Sequence, residues 1–256
     1  MPNIIFDCDG VLADTELHGH LPAFNQTFAE FGLPLEWSRE EYGVKLQIGG
    51  GKERMASDLT PEFCAAHGHP GEEARAELIA QLHKRKSALF QERARAGELP
   101  PRPGIRRVIT AALAEGWTVA VASTSAEASV RAVLEHAVGE EQAARCHVFA
   151  GDIVAHKKPA PDIYLLVLDD LALDPAECVV VEDSAIGCRA AVAAGLTTVV
   201  TTSAFTADED FTGAARVLAH LGDPDEPIPP TPEAGDFGGR YVELADLRRL
   251  IADQKE

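Results

Sequence analysis

Short apolar runs punctuate this chain, and between most of them apolar residues recur three and four positions apart. Ile4-Ile5-Phe6, Thr118-Val119-Ala120-Val121-Ala122 and residues 147–150, 178–181 and 197–202 read as strands. Continuous rather than alternating hydrophobicity is what a parallel sheet covered on both faces requires. Ile105, Val108, Ile109, Ala112 and Leu113 mark an amphipathic helix opened by Pro103-Gly104 and closed by Gly116. Another helix, carrying Val130, Val133 and Leu134 on one face, follows Ser123-Thr124-Ser125; others start at Asp162 and Ser184, the last stopped by Gly195. This alternation predicts βαβ units and an α/β fold with a central parallel sheet. Residues 14–97 differ, with helical periodicity, many charges and no convincing strand. They predict an inserted helical domain, leaving a discontinuous core of residues 1–13 and 98–256. Residues 223–239, rich in Pro, Gly and acids, predict a surface loop before a terminal helix over residues 244–251.

Composition narrows the function classes. With 256 residues, 46% hydrophobic and 25% charged, the chain has the make-up of a globular protein able to bury a sizeable core. No basic region followed by an apolar stretch opens the sequence, and no run approaches the ~18 apolar residues of a membrane helix. A cytoplasmic monomer is expected. Cys8, Cys64, Cys146, Cys178 and Cys188 are scattered without a C-x-x-C, which predicts buried free thiols rather than disulfides or a zinc site. A formal net charge of -18 disfavours nucleic acid and anionic membranes as partners. An anionic small substrate must be drawn in by a local basic cluster.

Ligands of open parallel sheets gather at the carboxyl ends of the strands, so the residues found there can be taken as a set. The first strand ends in Asp7 and Asp9, the second in Ser123-Thr124, and the fourth in Glu182-Asp183, while Lys157-Lys158-Pro159 follows the third. Two carboxylates at a strand tip suit magnesium-dependent phosphoryl transfer: one attacks phosphorus, one moves a proton, and a dication offsets their repulsion. Ser123 can hold phosphate oxygens, with Thr124 beside it a further candidate substrate contact. Lys157 or Lys158 can neutralise the nucleophile and the phosphate. Asp183 with Asp7 suits the oxygen coordination of magnesium. Each motif also has a plainer reading: an Asp-Gly turn, a serine N-cap, a solvated lysine, an acid pair capping the next helix. Their order at four successive strand ends favours the joint reading.

The motifs Asp7-Cys8-Asp9-Gly10-Val11, Val121-Ala122-Ser123-Thr124-Ser125, Lys158-Pro159-Ala160-Pro161-Asp162 and Val181-Glu182-Asp183-Ser184-Ala185-Ile186-Gly187 resemble those of haloacid dehalogenase superfamily phosphatases. The resemblance covers nearly the whole chain and implies a Rossmann-like core with an α-helical cap inserted after the first motif. It implies Asp7 as the nucleophile that becomes an aspartyl phosphate and Asp9 as general acid/base. Ser123 and Lys158 would hold the phosphoryl group, and Mg2+ would be bound by the Asp7 side chain, the Asp9 backbone carbonyl and Asp183, with Glu182 in support. Asp9 argues against dehalogenation, because members with that activity lack the second aspartate.

In the predicted cap, Gly49-Gly50-Gly51-Lys52-Glu53-Arg54 reads as a Gly-rich basic loop and Lys84-Arg85-Lys86 as a second basic cluster. Both could grip a second phosphate, or be a flexible turn and a solvated helix face. Asp14-Thr15-Glu16 with Gly19-His20, Ala23-Phe24-Asn25, residues 48–55 and His83-Lys84-Arg85-Lys86 are similar to β-phosphoglucomutase-like members, most of all the CbbY-type phosphatases. That similarity implies Glu16, His20, Lys52, Arg54 and Lys86 as substrate contacts, and removal of the C1 phosphate of xylulose 1,5-bisphosphate as the reaction. The alternatives are a phosphosugar mutase and, further off, a non-catalytic sugar-phosphate sensor, which would have no need of the Asp9 proton shuttle.

Overall fold

The computed structural model describes residues 1–254, which divide into two compact units, residues 1–14 with 99–254, and Thr15–Glu98. The first unit is built on a six-stranded sheet of β1 (Asn3–Phe6), β2 (Thr118–Ser123), β3 (His147–Ala150), β4 (Cys178–Glu182), β5 (Thr197–Thr201) and β6 (Arg216–Leu218). The order is β3-β2-β1-β4-β5-β6 and all pairings are parallel. This is a Rossmann-like architecture, as the resemblance implies, with the strand order reversing at β1. The crevice outside β1 and β4 is therefore where such sheets bind ligands.

The apolar runs explain the sheet. Ile4, Ile5, Phe6, Val121, Val179, Val180 and Val181 are sealed from solvent, as strands covered by helices on both faces must be. On one face Ile163, Tyr164 and Val167, from the helix Asp162–Asp170, pack with Ile5, Ala120 and Val180. The helix Ile105–Ala114 buries the five apolar residues its periodicity singled out. All five cysteines are buried and free. No helix among the described residues is long and apolar enough to cross a membrane.

Three features depart from the sequence reading. β6 was not anticipated, because its three residues are too short a run to stand out from flanking polar sequence. Residues 223–239 do not form a surface loop throughout: Ile228, Ala234 and Phe237 are buried, and the Arg240 guanidinium stacks 5.0 Å from the Phe237 ring. Composition marked the turns there but missed the apolar residues they deliver inward. The third departure lies in the second unit, which is helical as expected, with Leu21–Glu30, Arg39–Lys45, Gly51–Asp58, Pro61–Ala66 and Glu72–Arg95. The Gly-rich basic loop is in fact a helix start. Gly50, at φ 98°, is the N-cap of Gly51–Asp58, so Lys52, Glu53 and Arg54 occupy a helical turn. Phe24, Phe28, Trp37 and Tyr42 form the aromatic centre of this unit, with successive ring centroids 4.8–5.9 Å apart between Phe24 and Trp37, Phe28 and Trp37, and Trp37 and Tyr42.

Candidate active site

Register builds the site in the first unit. Phe6 lies opposite Val121 on one side and Val181 on the other, so Asp7 emerges where three strands end together, its N–H donating to the Val181 carbonyl at 2.9 Å. The chain then turns back, with the Leu12 N–H donating to the Cys8 carbonyl at 2.9 Å. Gly10 permits the turn twice over. Its φ is 76°, and a Cβ there would collide with the Asp183 carboxylate.

Asp7, Glu182 and Asp183 offer carboxylate oxygens within 4.8 Å of one another, all three residues buried. Lys158 reaches in from the loop after β3. Its Nζ donates to Asp7 Oδ1 at 2.7 Å, Glu182 Oε1 at 2.6 Å and the Ala122 carbonyl at 3.1 Å, using all three of its donors. Lys157 instead pairs with Asp152, which resolves the ambiguity between the two lysines. The Tyr164 hydroxyl also donates to Glu182 Oε1, at 2.6 Å, while Oε2 accepts from the Asp183 N–H at 3.1 Å. Glu182 is thus held on both oxygens.

The electrostatics follow from this crowding. Burial is the main reason the Asp7 carboxyl is pushed up to about 7; Lys158 opposes it, and Glu182 and Asp9 add to it. Asp183 is raised well above the usual carboxylate range, again mainly by burial and then by Glu182 and Asp7, while a hydrogen bond from Ser203 and the Arg102 charge pull the other way. Burial also works against the Lys158 ammonium, but the Asp7 and Glu182 charges outweigh it and its proton is held more tightly than usual. One ammonium against three carboxylates leaves the cluster short of positive charge. An all-oxygen donor set of this kind fits Mg2+, a hard cation, and Asp7 and Asp183 are the residues with capacity left to bind it.

Asp9 is less buried than Asp7, and its Oδ2 accepts a hydrogen bond from the Ser125 hydroxyl. Ser123, at the last position of β2, is sealed from solvent and its Oγ accepts from the Ser125 N–H at 3.1 Å. It is not an N-cap, because the next helix starts at Glu127 with Ala126 in the cap position. Thr124 beside it is half-buried. Nor does the acid pair cap the helix Ala185–Ala193, where Ser184 takes that role by accepting from the Gly187 N–H. The plainer readings of both motifs are thereby removed.

In the helical unit, Glu16 and His20 sit in one π-helical turn, Glu16–His20, and both are buried. The Tyr42 hydroxyl donates to Glu16 Oε2, Arg54 Nη1 donates to the Tyr42 oxygen at 3.3 Å, and Arg54 lies 3.7 Å from Glu16 Oε1. Lys86 is buried, its Nζ 2.7 Å from His20 Nδ1. An ammonium can only donate, so Nδ1 accepts and the ring proton belongs on Nε2. The same Nζ lies 4.5 Å from the Phe24 ring centroid and 5.4 Å from that of Phe90, on which His20 stacks at 4.0 Å. Arg85 turns outward to Glu30, and Lys52 is exposed. The structure therefore gathers Glu16 with Arg54 and His20 with Lys86, and leaves Lys52 on the surface of its unit.

Sequence reasoning missed Tyr164, Ser125 and Tyr42. Ser125 lay inside a quoted motif, two residues past Ser123, and Tyr164 lay two residues past Asp162. A buried phenol at either tyrosine could have been expected to seek a carboxylate; which one is a matter of tertiary folding.

A model of haloacid dehalogenase-like hydrolases matches residues 1–195. A CBBY-like protein of Arabidopsis thaliana is 48% identical over 223 residues, 87% of this chain and 70% of that protein. Protein CbbY of Cupriavidus necator is 43% identical over 97% of this chain and 96% of its own. Among solved structures, a variant of CbbY from Rhodobacter sphaeroides in complex with xylulose-(1,5)bisphosphate superposes with a TM-score of 0.75 at 40% identity, covering 86% of this chain and 95% of that one. Together with the strand-end carboxylates, these matches show that the chain belongs to the haloacid dehalogenase-like hydrolases, within their CbbY-like group, and is a phosphoric monoester hydrolase.

Proposed function

We propose that the protein is a Mg2+-dependent sugar-phosphate phosphatase that removes the C1 phosphate of xylulose 1,5-bisphosphate, leaving xylulose 5-phosphate and phosphate. The observation that carries the reading is the buried Asp7–Glu182–Asp183 cluster tied to Lys158, with Asp9 two residues from Asp7. The sugar bisphosphate bound by the R. sphaeroides relative supports the substrate. Asp7 and Asp183, with the Asp9 backbone carbonyl, would hold Mg2+, and Glu182 would support them by anchoring Lys158. A bound dication would supply positive charge against the phosphoryl oxygens and lower the cost of crowding carboxylates.

The chemistry then rests on the chain's own residues. Asp7 attacks phosphorus in line, the bond to the sugar oxygen breaks, and Asp9 gives its proton to the departing alkoxide. Asp9 next takes a proton from water as that water attacks the aspartyl phosphate, which releases inorganic phosphate and restores Asp7. Ser123 and Lys158 orient the phosphoryl group throughout. Glu16, His20, Lys52, Arg54 and Lys86, with Thr124, recognise the rest of the substrate. The test is a phosphosugar panel with Mg2+ in which free phosphate and sugar product are both measured. Phosphate released in proportion to xylulose 1,5-bisphosphate consumed, and faster than from ribulose 1,5-bisphosphate, is expected. An isomerised phosphosugar with little free phosphate would instead identify a mutase.

A further inference from the structure

Arg102 plays no part in the chemistry above, yet it is one of the most heavily bonded side chains of the core unit. Its Nη1 donates to the carbonyls of Gly10 and of Thr201, the latter at 3.2 Å; its Nη2 donates to those of Thr202, at 2.7 Å, and Ala219. These four acceptors are all backbone. They come from three separate segments: the turn after Asp9, the end of β5, and the chain just past β6. A planar guanidinium has donors directed along several fixed lines and can join such segments, whereas an ammonium presents three donors from one point.

Two of those segments touch Asp183 or the residue before it. Gly10 lies so close to the Asp183 carboxylate that it has no room for a Cβ. At the end of β5 the Thr201 hydroxyl donates to the Glu182 carbonyl at 3.4 Å. The backbone on which Asp183 stands is therefore met by the Gly10 turn and by the end of β5, and both are bonded to Arg102.

We propose that Arg102 is a positioning residue that fixes Asp183 for the divalent cation by tying the Gly10 turn to the end of β5. The proposal rests on the reading of Asp7 and Asp183 as the cation site. It makes a prediction opposite in sign to that of a purely electrostatic role. A nearby positive charge repels a cation, so if charge were all that Arg102 contributed, its loss would tighten Mg2+ binding. If it positions Asp183, its loss weakens binding.

The experiment is Mg2+ titration calorimetry on the substrate-free protein, with circular dichroism to verify folding and steady-state kinetics alongside. Arg102→Lys keeps the charge and loses the fork; we expect about a tenfold weaker Mg2+ affinity, the range seen when a group supporting a metal ligand is removed, and a kcat at fixed Mg2+ lowered by a similar factor with sugar-phosphate KM within about twofold. Folded Arg102→Lys protein with Mg2+ affinity within about twofold of the parent, or tighter, overturns the proposal. Arg102→Gln, which gives up both the charge and the fork, is measured in parallel and should also weaken Mg2+ binding by about tenfold. Unchanged or tighter binding in that variant overturns the proposal even where Arg102→Lys does not fold. Asp183→Asn separates the two levels: if it binds Mg2+ as the parent does, the cation-site reading itself fails.

Discussion

The core unit and the inserted helical unit both bury charge, and they stabilise it by different means. In the core, Lys158 meets two carboxylates and a carbonyl at 2.6–3.1 Å, all placed by strand ends held in parallel register. In the helical unit, Lys86 meets a histidine nitrogen and two aromatic rings, and Glu16 is held by a phenol and a guanidinium. The first arrangement concentrates charge around Asp7, the proposed nucleophile. The second spreads modest interactions over side chains of a kind that can recognise a polyol and a second anionic group. Under the proposed function, reactivity belongs to the sheet and selectivity to the insertion. Core substitutions should then lower turnover of every phosphate ester, and insertion substitutions should penalise the preferred sugar bisphosphate selectively.

The sharpest way to break that division is Asp7→Asn. Turnover should fall by at least about 10⁴-fold for sugar phosphates and p-nitrophenyl phosphate alike, while circular dichroism stays native, because the amide cannot serve as the nucleophile. Retained Mg2+-dependent phosphate release would remove Asp7 from that role. Next comes Lys86→Met, expected to cost roughly 10–100-fold in kcat/KM for xylulose 1,5-bisphosphate and under about threefold for p-nitrophenyl phosphate. Equal losses on both substrates would erase the comparison. Tyr42→Phe sharpens it on a smaller scale. Loss of one hydrogen bond to Glu16 should cost about 3–10-fold, again only for the sugar bisphosphate.

The smallest effect is one of stability. In metal-free protein the Asp7 carboxyl is raised from 3.8 to about 7, so the native state holds a proton that the unfolded state releases. The associated stabilisation is complete below the unfolded value and is lost as pH rises through about 7. Asp7→Asn removes this dependence. In EDTA its Tm relative to the parent should rise by about 5–10 °C between pH 5 and pH 8, with Mg2+ narrowing the gap. Melting curves whose difference is independent of pH would contradict that account.

How legible each region was in the sequence follows the same line. Asp7, Asp9, Ser123, Glu182 and Asp183 each stand next to an apolar run, and strand order alone brings such residues together. Lys158 could not be told from Lys157, since which of two adjacent loop lysines turns inward is a tertiary matter. Tyr164 reaches Glu182 across 18 positions and His20 meets Lys86 across 66. Helical periodicity places such residues on faces and says nothing about which face meets which. Gly50 shows the local limit: a triple glycine reads as a flexible loop until the structure reveals one member at positive φ capping a helix. The segment after residue 222 failed for a related reason. Prolines and glycines announce turns, but whether Ile228 and Phe237 go inward depends on what stands opposite them.

One detail of the core concerns how the insertion is joined to it rather than its chemistry. Where the chain leaves the core for the insertion and where it returns, the two strands of polypeptide are already stitched together within the core: Ala13 forms an antiparallel bridge with Pro101, and the Arg102 N–H donates to the Leu12 carbonyl at 3.1 Å. A pair of ends fastened side by side is a socket. Whatever is spliced between them starts and finishes at neighbouring points, so a folded insert whose own ends lie close together can be accommodated without disturbing the core. Exchange of the insert between relatives would then leave the strands of the core in register.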